Sequence, residues 1–295
     1  MLKKEKDLAI LDVFRKQTPT IPQLFYTTVG NAGDFPANTY KTKQGWKTIN
    51  YRQWADISES IAYALMKLGA KKGDDICLLS RLTAPRAWAD IAIQISGGIS
   101  TTVPITVSDI DLVYIINRAD IKFIFAENQA VLKRVVQLRD KMPSLQAVIC
   151  LQEDFAGDQK FTFGLEEFIQ QGIDYSREKP DLLHQRWQNI TTDDPARVIY
   201  TLSTMNKLKC SILKQSEWIE GERQELNSLL EKNLEGKLNN IYATIIPLPD
   251  SRERTYAFLS MVAIGALIKF GAGPPRIQNT KDLRRMAAQK DIVIA

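Results

Sequence analysis

The residues that could do chemistry are concentrated in one stretch, Tyr200-Thr201-Leu202-Ser203-Thr204-Met205-Asn206-Lys207-Leu208-Lys209-Cys210. A largely apolar run, Arg197-Val198-Ile199-Tyr200-Thr201, leads into it, and a short β-type run, Cys210-Ser211-Ile212-Leu213, leads out. A polar loop between two strands is where an α/β protein holds phosphate: backbone N–H groups line the loop and a lysine adds a point charge. Lys207 and Lys209 offer charge here, and Ser203 and Thr204 offer hydroxyls. Glycine is absent, although phosphate loops use it where φ is positive or where the backbone must come close to the ligand. From these residues alone, a phosphate loop lacking its usual glycines and an ordinary polar connection both stay open.

Other chemistry is sparse. His184 is the single histidine, so a His-based metal cluster cannot form within the chain, and a Ser-His-Asp triad would have to use it. It lies in the polar, helix-like run Leu182 to Trp187 and reads as an exposed or capping residue. No metal-ligand spacing and no catalytic residue is assigned. Cys77, Cys150 and Cys210 are far apart and odd in number. Cys77 and Cys150 sit in apolar runs, which suggests small core residues in a reducing compartment, and the expected location is the cytoplasm. The net charge of +5 is spread along the chain with no basic stripe interleaved with aromatics, so nucleic acid is not an expected partner. Met1 to Lys6 lacks the apolar core and cleavage signature of a signal peptide. The apolar stretch 257–270 is interrupted and shorter than the ~20 residues a membrane span needs. Peripheral contact with a membrane is left open.

The elements that must position the loop can be read from periodicity. Thr20 caps a helix with Pro22 in its first turn, and Lys43-Gln44-Gly45 turns a hairpin between strands ending at Thr42 and starting at Trp46. Asn50 and Gln53 form a capping-box pattern, and Trp54, Ile57, Ile61, Leu65 and Leu68 mark one face of the helix that follows. Alternation then sets in. Strands at 76–79, 99–103, 122–125 and 147–150 are separated by helices, those at 109–117 and 131–141 among them. Short helices at 163–171 and 182–188 lead to Asp193-Asp194-Pro195, and the best internal boundary lies near 188–195. Beyond the loop come a long charged helix at 216–234, strands at 243–246, 267–270 and 292–294, and helices at 254–264 and 281–290. The pattern predicts an α/β fold, mostly parallel sheets flanked by helices. A strand that stops at Ala295 suggests a piece of something longer.

This order of segments resembles the N-terminal part of the acyl-CoA synthetases of the adenylate-forming (AMP-binding) family, closest to the long-chain fatty-acid ligases. Gly73-Asp74, Trp88, Asp90, Pro104, Tyr114-Ile115, Asn117 and Phe125-Ala126-Glu127-Asn128 follow the family run G-D-x-V-A-I-L-S…W…D…P…I-L-N…F-V-E-N. The family's phosphate loop, Y-T-S-G-T-T-G-x-P-K-G, falls on Tyr200 to Cys210. Tyr200, Thr201, Thr204 and Lys209 match it. Ser203, Asn206 and Cys210 stand at its three glycines, Leu202 at a serine, Met205 at a threonine and Leu208 at the proline. The family's L-P-L-S-H-x-F-E-R-T segment falls on Ile246 to Thr255, where Glu253-Arg254-Thr255 match and the histidine falls on Asp250.

The resemblance implies a lobe of a ligase that makes an acyl-adenylate from ATP and a fatty acid, with Mg²⁺ nearby, and then a thioester with CoA. It makes residues 1–295 a partial AMP-binding domain, an incomplete N-terminal lobe. It implies nucleotide contacts at Tyr200, Thr201, Ser203, Thr204, Asn206 and Lys209, and substrate-side positions at Asp250, Glu253, Arg254 and Tyr256. A β-carbon at each glycine site narrows backbone approach, and an acidic residue at 250 repels carboxylates and phosphates. The family's adenine-binding Y-G-x-T-E, ribose-binding aspartate and C-terminal lysine would lie beyond Ala295. The expectation is a degenerate, truncated ligase relative that is inactive as this chain alone. The alternatives are a non-catalytic acyl-binding or regulatory protein, or one half of a split ligase whose second chain supplies the rest.

Overall fold

The computed structural model describes residues 19–202, 208–233, 242–245, 259, 262, 263, 265–270 and 291–294. The chain divides into two compact units. One comprises Met1–Ala55, Leu82–Ala84 and Ser216–Ala295; the other comprises Asp56–Arg81 and Pro85–Gln215. The segment 188–195, expected as a boundary, lies inside the second unit.

In the first unit, helix α1 (Ile21–Ala32) starts where the sequence places it. The Thr20 backbone N–H donates to Gln23 Oε1 at 2.9 Å, and Gln23 N–H donates back to Thr20 Oγ1 at 3.4 Å. Two orphan donors of the first turn are thereby satisfied. Strands β1 (Pro36–Thr42) and β2 (Gly45–Asn50) form the expected hairpin, with Gly45 at φ +125°. Asn50 and Gln53 close a second reciprocal cap at 2.8 and 3.0 Å ahead of helix α2 (Tyr51–Lys67). Tyr51 and Trp54, on the first turn of that helix, are fully buried; Phe25 meets Trp54 edge-on at 5.4 Å, and Tyr51 Oη donates to Ala266 O at 2.7 Å.

The second unit alternates as expected. It runs through β3 (Asp75–Leu79), α3 (Ala84–Ile95, most of it in this unit), β4 (Ile99–Thr102), α4 (Asp109–Arg118), β5 (Phe123–Ala126), α5 (Gln129–Gln137) and β6 (Ala147–Cys150). Strands β4, β5 and β6 are buried at every residue, the signature of a parallel sheet covered on both faces. Two expectations need correction. The helix expected over 131–141 ends at Gln137, and a separate 3₁₀ turn covers Arg139–Lys141. The helix expected from Phe163 is preceded by a strand, β7 (Thr162–Gly164), and then runs as α6 (Leu165–Glu178). Gly172 lets α6 pass close to α2: a β-carbon there would lie 1.7 Å from Ser60 O.

The chain continues with α7 (Leu182–Gln188), β8 (Pro195–Leu202), β9 (Leu208–Lys214), α8 (Gln215–Asn233), β10 (Tyr242–Ile245), β11 (Leu267–Phe270) and β12 (Asp291–Ile294). Pro195 thus opens β8 instead of sitting in a linker. Leu259, Val262 and Ala263 are helical and buried, inside the expected helix 254–264; the helix expected over 281–290 falls outside the described residues.

Among the described residues the first unit holds a five-stranded sheet, β12-β10-β11-β1-β2, and the second a seven-stranded sheet, β7-β6-β5-β3-β4-β8-β9. Every pairing is parallel except β1–β2 and β8–β9. No described helix is long and apolar enough to cross a membrane.

Candidate functional site

The candidate loop joins the last two strands of the larger sheet. β8 and β9 pair antiparallel with Tyr200 opposite Cys210, Thr201 opposite Lys209 and Leu202 opposite Leu208, so the ladder continues up to residues 203–207. The proline that the resemblance places at 208 would remove a backbone donor from such a ladder, whereas leucine keeps it. Among the expected nucleotide contacts, the structure therefore brings Tyr200, Thr201 and Lys209 together on adjoining rungs. Ser203, Thr204 and Asn206 lie outside the described residues, as do Asp250, Glu253, Arg254 and Tyr256.

Tyr200 is buried and belongs to the core cluster with Val198, Val103, Leu112 and Ile115. Burial, and then Cys210 across the strand pair, push its hydroxyl pKa well up, while the Arg118 guanidinium pulls the other way. The ring anchors the hairpin in the core. Lys209 and Cys210 are exposed. For an ATP phosphate and its Mg²⁺, the described rungs next to residues 203–207 offer the exposed Lys209 ammonium, while Lys214, at the far end of β9, pairs with Asp193 at 3.0 Å. The hairpin backbone is committed to strand pairing up to Leu202 and from Leu208 onward, so any cradle for phosphate would have to be made by residues 203–207, outside the described residues. Among the described residues, no group of three His, Cys, Asp or Glu side chains could hold a metal ion.

Below the loop lies a polar network that sequence reading missed. Helix α3 presents Arg86, Asp90 and Gln94 one turn apart, all buried. They face Ser100 and Thr102 of β4 and Arg197 of β8. Arg197 pairs with Asp90, which also accepts from Ser100 Oγ at 2.5 Å. Arg86 Nη2 donates to Thr102 Oγ1 at 3.2 Å. Gln94 Nε2 donates to Ser100 Oγ at 2.9 Å and to Ala196 O at 2.7 Å, and its Oε1 accepts from Gln215 Nε2 at 2.9 Å. The available signal was Arg197 itself, a charge opening an otherwise apolar strand.

The loops at the carboxyl ends of neighbouring strands are also fixed. Glu127, after β5, accepts from the Arg81 backbone N–H at 2.7 Å and from its guanidinium, after β3. Burial raises the Glu127 pKa, but the Arg81 hydrogen bonds and charge hold it below the ordinary glutamate value overall. Arg134 ties down the segment after β4 through Asp109 at 2.6 Å, Ile105 O at 3.1 Å and Val107 O.

Comparison with known proteins gives this arrangement a family context. Residues 25–289 match the model of a family described as AMP-binding enzyme. The chain is similar to the long-chain-fatty-acid–CoA ligase ACSBG1 of Rattus norvegicus, 23% identical over 276 residues that cover 92% of this chain and 37% of that protein. It is also similar to ACSBG2 of Xenopus laevis, 25% identical over 265 residues, covering 88% and 34%. The chain thus spans a little over a third of the length of these curated relatives. Among solved structures, the adenylation domain of a carboxylate reductase from Mycobacterium chelonae superposes with a TM-score of 0.67 at 16% identity, covering 92% of this chain and 45% of that one. At that identity the likeness shows the fold, an α/β lobe of the adenylate-forming kind.

Proposed function

Because the chain belongs to the AMP-binding enzyme family, we propose that it is a long-chain fatty-acid–CoA ligase-like lobe that does not complete adenylation by itself. The observation that carries this reading is the hairpin. Its ladder runs on through Leu202 and Leu208, and side chains replace hydrogen at each family glycine position of the intervening loop. Preorganised donors aimed at developing charge usually supply the largest catalytic term, and the sequence of this loop lacks the glycines that let backbone donors come close to a phosphate. The family context supplies ATP with Mg²⁺ and CoA as co-substrates, and in the split-ligase alternative Lys209 is the group that meets a phosphate. A fatty acid is the proposed substrate-side ligand, next to Asp250, Glu253, Arg254 and Tyr256. A cytoplasmic location is proposed as well, supported by three free cysteines, two of them buried.

Calorimetric titration of the purified chain with Mg-ATP, beside a Lys209→Ala control, tests the reading. No heat at millimolar ATP from the folded chain is the expected result, and fatty acid is then the next ligand to titrate. Saturable binding that is lost in Lys209→Ala would overturn it. That outcome would favour a split ligase completed by a second chain.

A further inference from the structure

The ridge Arg86–Asp90–Gln94 places polar groups where packing alone would favour apolar ones. An ion pair buried this deeply contributes little net stability over apolar side chains of the same volume, and its best-attested use is to specify one arrangement among several. The hairpin needs such a device. β8 meets β4 over three pairs only, Ser100 with Arg197, Thr101 with Val198 and Thr102 with Ile199. A slip of one residue would turn Val198 and Tyr200 away from the core cluster they now fill, so the apolar pattern rejects it. A slip of two residues keeps every side chain on its present face, and the apolar pattern is nearly indifferent to it. That slip would carry the hairpin about 7 Å along the sheet.

We propose that Asp90, Gln94 and Arg197 are positioning residues for the β8–β9 hairpin. Their buried bonds select the register in which it joins the sheet, and so fix where β8 leaves the sheet at Leu202 and β9 returns at Leu208. In a register shifted by two, Arg197 is drawn away from Asp90 and both charges stay buried without each other. Gln94 acts as a second lock, because it touches both roots of the hairpin: Ala196 at the start of β8 and Gln215 just after β9. One face of α3 therefore reads both ends of the hairpin, the start of β8 and the residue that follows β9. This role holds whether or not the loop takes a nucleotide.

Native-state hydrogen exchange on the full chain tests the proposal, comparing wild type with the Asp90→Leu/Arg197→Met double variant, in which apolar side chains replace the pair. The expected result is that amides of β3, β5 and β6 keep their protection while those of β8 and β9 exchange about tenfold faster or more, the signature of a local opening. Equal acceleration across the sheet would overturn the proposal by making the pair a general stabiliser. Unchanged exchange everywhere would overturn it too. If the double variant does not fold, Gln94→Met answers the same question. It keeps the ion pair and removes both root contacts, and the same confined acceleration is expected; a uniform or absent change overturns the role.

Discussion

Replacing Gly172 with alanine is expected to destabilise the larger unit sharply, although alanine is the better helix former. Gly172 lies within α6, where exchanging glycine for alanine at an open site stabilises by about 0.5–1 kcal/mol. The site is not open. The added β-carbon would sit 1.7 Å from Ser60 O, 2.6 Å from Ser60 C and 3.1 Å from Ala64 N, all backbone atoms of α2. No side chain can swing aside, so the two helices must part by more than 1 Å. Overpacking of this kind costs about 1–3 kcal/mol, and the backbone contact places this site at the upper end. For a unit of this size, about 3 kcal/mol lowers the melting midpoint by roughly 6–12 °C. The internal control is Gly30 in α1, where nothing lies within 4 Å of the new carbon and the backbone stays at negative φ. Gly30→Ala is expected to raise stability by about 0.5–1 kcal/mol. Thermal and urea unfolding followed by circular dichroism measure both variants. A Gly172→Ala midpoint at or above wild type would refute the close-approach argument, and equal effects of the two substitutions would refute its site dependence.

Two further outcomes follow from titratable groups. Glu127 has a lowered folded pKa, so the unfolded chain binds its proton more readily; the stability it contributes is present above the unfolded value, about 4.3, and is lost as pH falls through the folded one. Glu127→Gln is therefore expected to flatten the acid limb of a midpoint-against-pH curve, and an unchanged slope would sink the assignment. In native buffer a thiol reagent is expected to modify Cys210 alone, because Cys77 and Cys150 are buried and burial raises both their pKa values. Stoichiometry above one before unfolding would contradict this packing.

What was legible in the sequence was local. The caps at Thr20–Gln23 and Asn50–Gln53, the Gly45 turn and the buried runs of β3 to β6 each lie within a few residues of their partners. β7 was missed because three residues, Thr162-Phe163-Gly164, carry no period that separates them from the helix they abut. The 3₁₀ turn at Arg139–Lys141 continues an apolar-polar pattern that a helix would also show. Of the polar network only the charge of Arg197 in an apolar strand was legible, not its partners. Arg197 and Asp90 are 107 residues apart, and Gln94 and Gln215 are 121 apart, so only the sheet order brings them together. Of the candidate site, the strand pair flanking the loop was legible from its apolar runs. That Tyr200 turns into the core depends on the tertiary position of α4, which a single strand cannot announce.

The smaller unit has a history in time as well as a shape. Its sheet joins β1 to β11 through the pair Asn38 and Ile268, about 230 residues apart, with the larger unit threaded between its two halves. A ribosome adding about 5–20 residues per second needs roughly 10–50 s to cover that span. Throughout that interval β1 and β2 exist as a two-stranded hairpin, which is marginal on its own in water. Tyr51 has by then been made, but the Ala266 carbonyl that receives its hydroxyl has not. The larger unit, complete at Gln215, can fold as it leaves the ribosome; the smaller one has to wait with an unpaired strand edge and an aromatic cluster still open to whatever else is nearby.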